Sequence, residues 1–258
     1  MVCLSLAGVE KAYTVGGREI RALGGVDFEL RRGEVATLVG PSGSGKTTLL
    51  RIAAGLEVPD SGRALPAEGA KLGFVFQEPR LLRHLTTEGN IALGLGSKRA
   101  EREGLGRVDE VIGILGLREH RRAYPHQLSG GLAQRVALGR ALVRDPDLLF
   151  MDEPFSALDA PLRRRLQDEL LGILAARRMS VLFVTHDLTE AAYLGDRVLV
   201  LRGGRVARDE GIALGRPRDP RSAAFLRLVD SLEITLGGRE RRPAPALEYI
   251  KPLEENSA

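Results

Sequence analysis

Residues Gly40-Pro41-Ser42-Gly43-Ser44-Gly45-Lys46-Thr47 satisfy G-x-x-x-x-G-K-S/T at every fixed position. This composition suits the capture of phosphate. The glycines let backbone N–H groups converge on anionic oxygens, and a helix beginning at the end of the loop adds partial positive charge. Lys46 can reach the outer phosphates as a fixed cation, and the Thr47 hydroxyl can ligate Mg²⁺. A second group, Asp152-Glu153, closes the apolar run Leu148-Leu149-Phe150-Met151. One carboxylate there suits Mg²⁺, which prefers oxygen ligands, and its neighbour can polarise an attacking water. The third is Leu128-Ser129-Gly130-Gly131-Leu132-Ala133-Gln134-Arg135. Here Ser129 is a good N-cap, and the paired glycines expose N–H groups ahead of a helix, making another anion site. An acidic pair after a strand, or a capped helix, is commonplace alone. Beside a phosphate loop each gains meaning.

These groups must be brought to one place. Val35-Ala36-Thr37-Leu38-Val39 reads as a buried strand feeding the loop, and the residues from Thr48 onward read as a helix. Leu4 to Tyr13 has strand character, Gly16-Gly17 suits a turn, and Ile20 to Leu30 returns as a second strand. Short apolar strands follow at 72–76, ending in Gln77, at 148–151, and at 181–184, just before His186. A hairpin is expected around Gly203-Gly204. Pro161 to Arg178 forms a helix on a stripe of Leu162, Leu166, Leu170 and Ile173. Residues from about 81 to 145 read as a mostly helical insert. The pattern predicts an α/β fold with a mainly parallel sheet covered on both faces, an N-terminal antiparallel β part and an inserted helical part. In open α/β sheets ligands bind beyond the carboxyl ends of the strands. Three strands would deliver the phosphate loop, Asp152-Glu153 and His186 to that edge.

Composition narrows the field. The chain has 258 residues, 43% hydrophobic and 28% charged, enough for one large α/β domain with an insert. Its net charge of +4 comes from 38 basic residues, scattered along the chain, against 34 acidic ones, which argues against a nucleic-acid surface. A single cysteine, Cys3, excludes an intrachain disulfide and suits a reducing compartment. No charged-then-apolar leader opens the chain, and no apolar run approaches the ~18 residues of a membrane helix. Contact with a membrane would then run through a partner or at the protein's surface. Polar, helix-breaking residues around Arg241-Arg242-Pro243 suggest a loosely ordered tail after about 237.

Taken together, the chain resembles the nucleotide-binding subunits of ATP-binding cassette (ABC) transporters over roughly residues 4 to 215. Gly40 to Thr47 matches the Walker A loop, with Thr48 in the same ATP-binding set. Gln77, in Phe76-Gln77-Glu78, matches the Q-loop. Leu128 to Arg135 matches the signature, Leu149 to Glu153 Walker B, Ser156-Ala157-Leu158-Asp159 the D-loop, and Thr185-His186-Asp187 the switch histidine. Tyr13 sits where the family places an aromatic that stacks on adenine. The resemblance implies an ATPase domain over 1–215 with a C-terminal extension over 216–258. It also implies head-to-tail pairing, as a homodimer or with a related ATPase subunit. ATP would lie between Walker A of one copy and Ser129, Gly130 and Gly131 of the other. Glu153 would act as general base or orient the water, and His186 would contact the γ-phosphate and water. Gln77 would sense Mg²⁺ and link to a permease; Thr47, Asp152 and Gln77 form the metal set. One departure is Leu132, where the signature usually carries Gln.

Phe74 to Leu82, Leu132 to Arg135 and Arg216-Pro217-Arg218-Asp219-Pro220 resemble bacterial importers of the nitrate, sulfonate and taurine type, although Arg83-His84 departs from the Pro-Trp common there. The expected role is the ATPase subunit of such an importer, at the cytoplasmic face of the cell membrane under transmembrane permease subunits, with a periplasmic or extracellular binding protein acting indirectly. An exporter ATPase for lipids or lipoproteins is the alternative. A soluble cassette acting on nucleic acid or ribosomes is a further one, disfavoured by the dispersed charge.

Overall fold

The structure, a computed structural model, describes residues 1–96 and 104–237. The expected loosely ordered tail lies outside the described residues, as does a short part of the insert. Strands β1 (Val2–Val15) and β2 (Arg18–Arg31) pair antiparallel, and β4 (Ser61–Pro66) adds to the other side of β1. The main sheet runs β5 (Leu72–Val75), β6 (Leu148–Asp152), β7 (Ser180–Val184), β3 (Val35–Val39), β8 (Arg197–Arg202), β9 (Arg205–Gly211). All neighbours in it are parallel except β8 and β9, which form the expected hairpin.

Covering on both faces explains why β3, β6 and β7 are apolar at nearly every position. Leu148, Phe150, Leu182 and Val184 point toward the antiparallel sheet and α1 (Lys46–Ala53), packing with Leu4, Phe28, Leu30 and Leu50. The alternate residues Leu149, Met151, Val181 and Phe183 face the helical side. Helices α2 (Thr87–Ala92), α3 (Leu105–Ile114) and α4 (Gly130–Leu142) fall between β5 and β6 in the chain and form the described part of the helical insert. Helix α5 (Ala160–Arg177) starts at an Asp159 cap, whose Oδ1 accepts from Leu162 N at 2.9 Å.

Two elements lie outside the expectations drawn from the sequence. Strand β4 is largely exposed and holds glycine and proline; backbone pairing with β1 makes it a strand. Helix α7 (Ala223–Gly237) packs Phe225, Leu228 and Leu232 on α6 (Leu188–Leu194) and β8. The segment before it is anchored by Arg218, only 6% exposed. Its guanidinium donates to the carbonyls of Ala192, Tyr193 and Gly195 at the end of α6, and to Leu214. Burial, aided by nearby Arg216, pulls its pKa down to about 10. Arg218→Leu would orphan those carbonyls and is expected to cost about 2 kcal/mol of stability. Urea unfolding measures this, and an unchanged midpoint would contradict it.

Candidate functional site

The phosphate loop leaves β3 at Gly40 and enters α1 at Lys46. Gly45 has φ +99°, and a Cβ there would meet the Ala22 carbonyl at 2.4 Å, so only glycine lets β2 lie this close to the loop. Lys46 is buried, and its Nζ donates to the carbonyls of Gly40 at 2.8 Å and Pro41 at 3.0 Å. Burial lowers the Lys46 pKa, while Glu153 and Asp152 oppose the shift. Thr47 Oγ1 donates to Asp152 Oδ1 at 3.1 Å, joining the loop to the end of β6. Asp152 is itself buried, and desolvation pushes its carboxyl pKa up, against the Thr47 hydrogen bond and the charges of Arg51 and Lys46.

Glu153 adopts φ 44°, a strained conformation for a non-glycine residue, and such strain clusters at functional positions. Its N–H donates to Val184 O at 2.9 Å, which seats it between the ends of β6 and β7. Its Oε2 lies 2.9 Å from His186 Nδ1. The histidine is held from below: Asp187 caps α6, its Oδ1 accepting from Thr189 N at 2.8 Å and Glu190 N at 3.1 Å. Ser156 Oγ donates to Glu153 O at 3.0 Å, tying the following loop to the same residue.

A cleft of about 290 Å³ opens above the loop, walled by Tyr13, Ile20 and Ala22 and floored by residues 43–48. The Tyr13 hydroxyl donates to Glu57 and lies 3.4 Å from Thr48 Oγ1. Pro41 and Ser42 stand exposed at the crest of the loop. The structure therefore gathers Tyr13, Gly40 to Thr48, Asp152, Glu153 and His186 along one edge. Ser129 and Gly130 are not part of that cleft. They sit exposed at the start of α4, where Ser129 Oγ accepts from Leu132 N at 3.3 Å. Gly131 is buried beneath Leu162, which a Cβ would meet at 2.3 Å. Gln77 follows β5 on the same sheet edge as Asp152, but it is exposed and its side chain makes no hydrogen bond among the described residues. Glu57, which sequence reasoning missed, lies in a loop with no local signal; only its partner Tyr13 reveals it.

A glycine-rich loop at the end of a central parallel strand, bonded to an acidic strand end, defines the class: a P-loop nucleotide-binding protein. Residues 23–156 match the family described as ABC transporter, and the chain belongs to that family. It is 44% identical over 245 residues to the aliphatic sulfonates import ATP-binding protein SsuB 1 of Nocardia farcinica, spanning 94% of this chain and 96% of that protein. The Bacillus subtilis aliphatic sulfonates import ATP-binding protein SsuB is 43% identical, spanning 84% and 87%. Among solved structures, the dimeric post-hydrolysis state of the ATP-binding cassette MJ0796 bound to ADP and Pi matches with a TM-score of 0.72 at 31% identity, covering 82% of this chain and all of that one. The chain is thus an ATP-hydrolysing cassette of an ABC transporter, as the motifs imply, and its relatives favour import over the exporter and nucleic-acid alternatives. Among the described residues no helix is long and apolar enough to cross a membrane.

Proposed function

We propose that this chain powers uptake of an aliphatic sulfonate or similar small oxyanion, working as one of a pair of ATPase subunits beneath membrane-spanning permease subunits at the cytoplasmic face. The substrate class rests on the sulfonate import relatives. The observation that carries the paired mechanism is the division of the site: the loop, Asp152, Glu153 and His186 line one edge, while Ser129 and Gly130 are exposed elsewhere on the insert. A second copy, placed head to tail, supplies what the first lacks.

In this reading the loop's N–H groups and Lys46 hold the β- and γ-phosphates, and Tyr13 stacks on the adenine. The second copy's Ser129, Gly130 and Gly131 cap the γ-phosphate. Glu153 accepts the proton of the attacking water as its oxygen bonds to the γ-phosphorus and the bond to the β-phosphate oxygen breaks. His186 holds the Glu153 carboxylate and faces the same phosphate. Thr47 and Asp152 fit Mg²⁺: two hard oxygens stand 3.1 Å apart beside the loop, and no group of three His, Cys, Asp or Glu that could hold a metal occurs among the described residues. Such a pair suits an ion completed by nucleotide phosphates. When bound, Mg²⁺ would neutralise charge on the transferring phosphoryl group. Gln77, exposed beside this edge, is assigned to sensing its state and passing it to the permease.

Ser129→Arg is expected to abolish ATP turnover while leaving ATP binding to the single chain intact. Mixing it with Lys46→Ala protein should restore part of the activity, because one undamaged composite site can form. Failure of mixing to restore any turnover, with both proteins folded, would count against sites shared between copies. The substrate assignment is tested separately: deleting the gene should stop growth on alkanesulfonate as sole sulfur source, with sulfate rescuing it.

A further inference from the structure

The hairpin that carries Tyr13 runs past its support. Strand β4 pairs with β1 only as far as Glu10 opposite Ser61. Beyond that point β1 and β2 continue as a two-stranded ribbon through Tyr13 opposite Ile20 to Val15 opposite Arg18. Ribbons of two strands are marginal in water, so the end bearing the aromatic ring needs another anchor.

The loop between α1 and β4 provides it. Lys11 Nζ donates to Val58 O at 2.9 Å and to Asp60 Oδ1 at 2.8 Å. Asp60 Oδ2 accepts from Ala12 N at 2.7 Å, and Asp60 N donates to Glu10 O at 2.9 Å. The final attachment is the Tyr13 hydroxyl on the Glu57 carboxylate. Every one of these contacts joins residues 57–60 to residues 10–13. The ring they fix forms the wall of the cleft over the phosphate loop, with Ile20 across the ribbon. A phenol donating to a carboxylate makes a charge-assisted bond, stronger than a neutral one. Partial burial and the Glu57 partner both raise the Tyr13 pKa, which keeps the hydroxyl a donor.

We infer that Glu57 is a positioning residue for nucleotide binding: through the Tyr13 hydroxyl, it and the 57–60 loop hold the aromatic ring in place to receive the base of ATP. This rests on the reading of Tyr13 as the base platform. Freezing the ring beforehand removes an ordering cost from binding, so the benefit appears as affinity for nucleotides that have a base.

The test uses the full chain with two probes, ATP and inorganic tripolyphosphate, the second lacking a base. Glu57→Ala is expected to weaken ATP binding about fivefold, the scale of one net hydrogen bond, and to leave tripolyphosphate binding unchanged. Tyr13→Phe should weaken ATP similarly, and adding Glu57→Ala to Tyr13→Phe should cost nothing more, because the hydroxyl is the link. Glu57→Gln, still an acceptor, should recover part of the loss. Equal weakening of both probes by Glu57→Ala, an undiminished effect in the Tyr13→Phe background, or no effect at all would overturn the inference. Tyr13→Ala tells the two claims apart. If it weakens ATP while Glu57→Ala does not, the platform stands and the brace falls. If Tyr13→Ala leaves ATP affinity unchanged, the platform reading falls and takes the brace with it.

Discussion

Glu153→Gln should bind ATP yet turn it over about 10²–10⁴-fold more slowly, the usual worth of a positioned general base. The substitution is nearly isosteric. Its amide oxygen can still face His186 Nδ1, so the 2.9 Å contact has a substitute and the backbone strain at φ 44° is unaltered. What disappears is the ability to take a proton from water. The variant also loses a negative charge close to where the γ-phosphate would lie, which favours the ATP-held pair of subunits. Single-turnover phosphate release measures the first effect and gel filtration with ATP the second. Near-normal turnover by a monomeric variant would remove Glu153 from the chemistry.

Lys46→Ala should reduce ATP affinity by about 100-fold, on the scale of charge-assisted hydrogen bonds to two phosphates. Two causes combine. The cation is lost from a buried position where its field is poorly screened. The carbonyls of Gly40 and Pro41 also lose the donor that spans the loop from within. Calorimetric titration with ATP reads the affinity, and a thermal melt shows whether the sheet survives. Wild-type affinity in a folded variant would refute the phosphate role. Lys46→Arg separates the causes, since it retains charge but must fit a larger, planar head into the same buried space.

Much of this was legible in the chain, for physical reasons that can be named. Strands β3, β6 and β7 are buried on both faces, so their apolar runs stand out, and each ends in polar residues that an ordinary core would not keep. The glycines at 43 and 45 announce the loop because no other residue takes that backbone path. By contrast, β4 becomes a strand through pairing with β1 across the hairpin, and no local alternation encodes that. Helix α7 does carry a periodic stripe, Phe225, Val229, Leu232 and Leu236, and attention to helix spacing past residue 216 would find it. The bond between Tyr13 and Glu57 joins residues 44 apart and leaves no trace in either neighbourhood. The separation of Ser129 from the phosphate loop is likewise a matter of three-dimensional placement, which motif order cannot express.

The three strands that end in working groups lie side by side, β6 against β7 against β3, in continuous parallel register. Backbone ladders of that kind do not slip one rung at a time, so the edge that carries these groups is stiff. Under the proposed pairing, motion between states would fall to the insert, which leaves the sheet after β5, returns at β6 and exposes Ser129 and Gly130 at the start of α4.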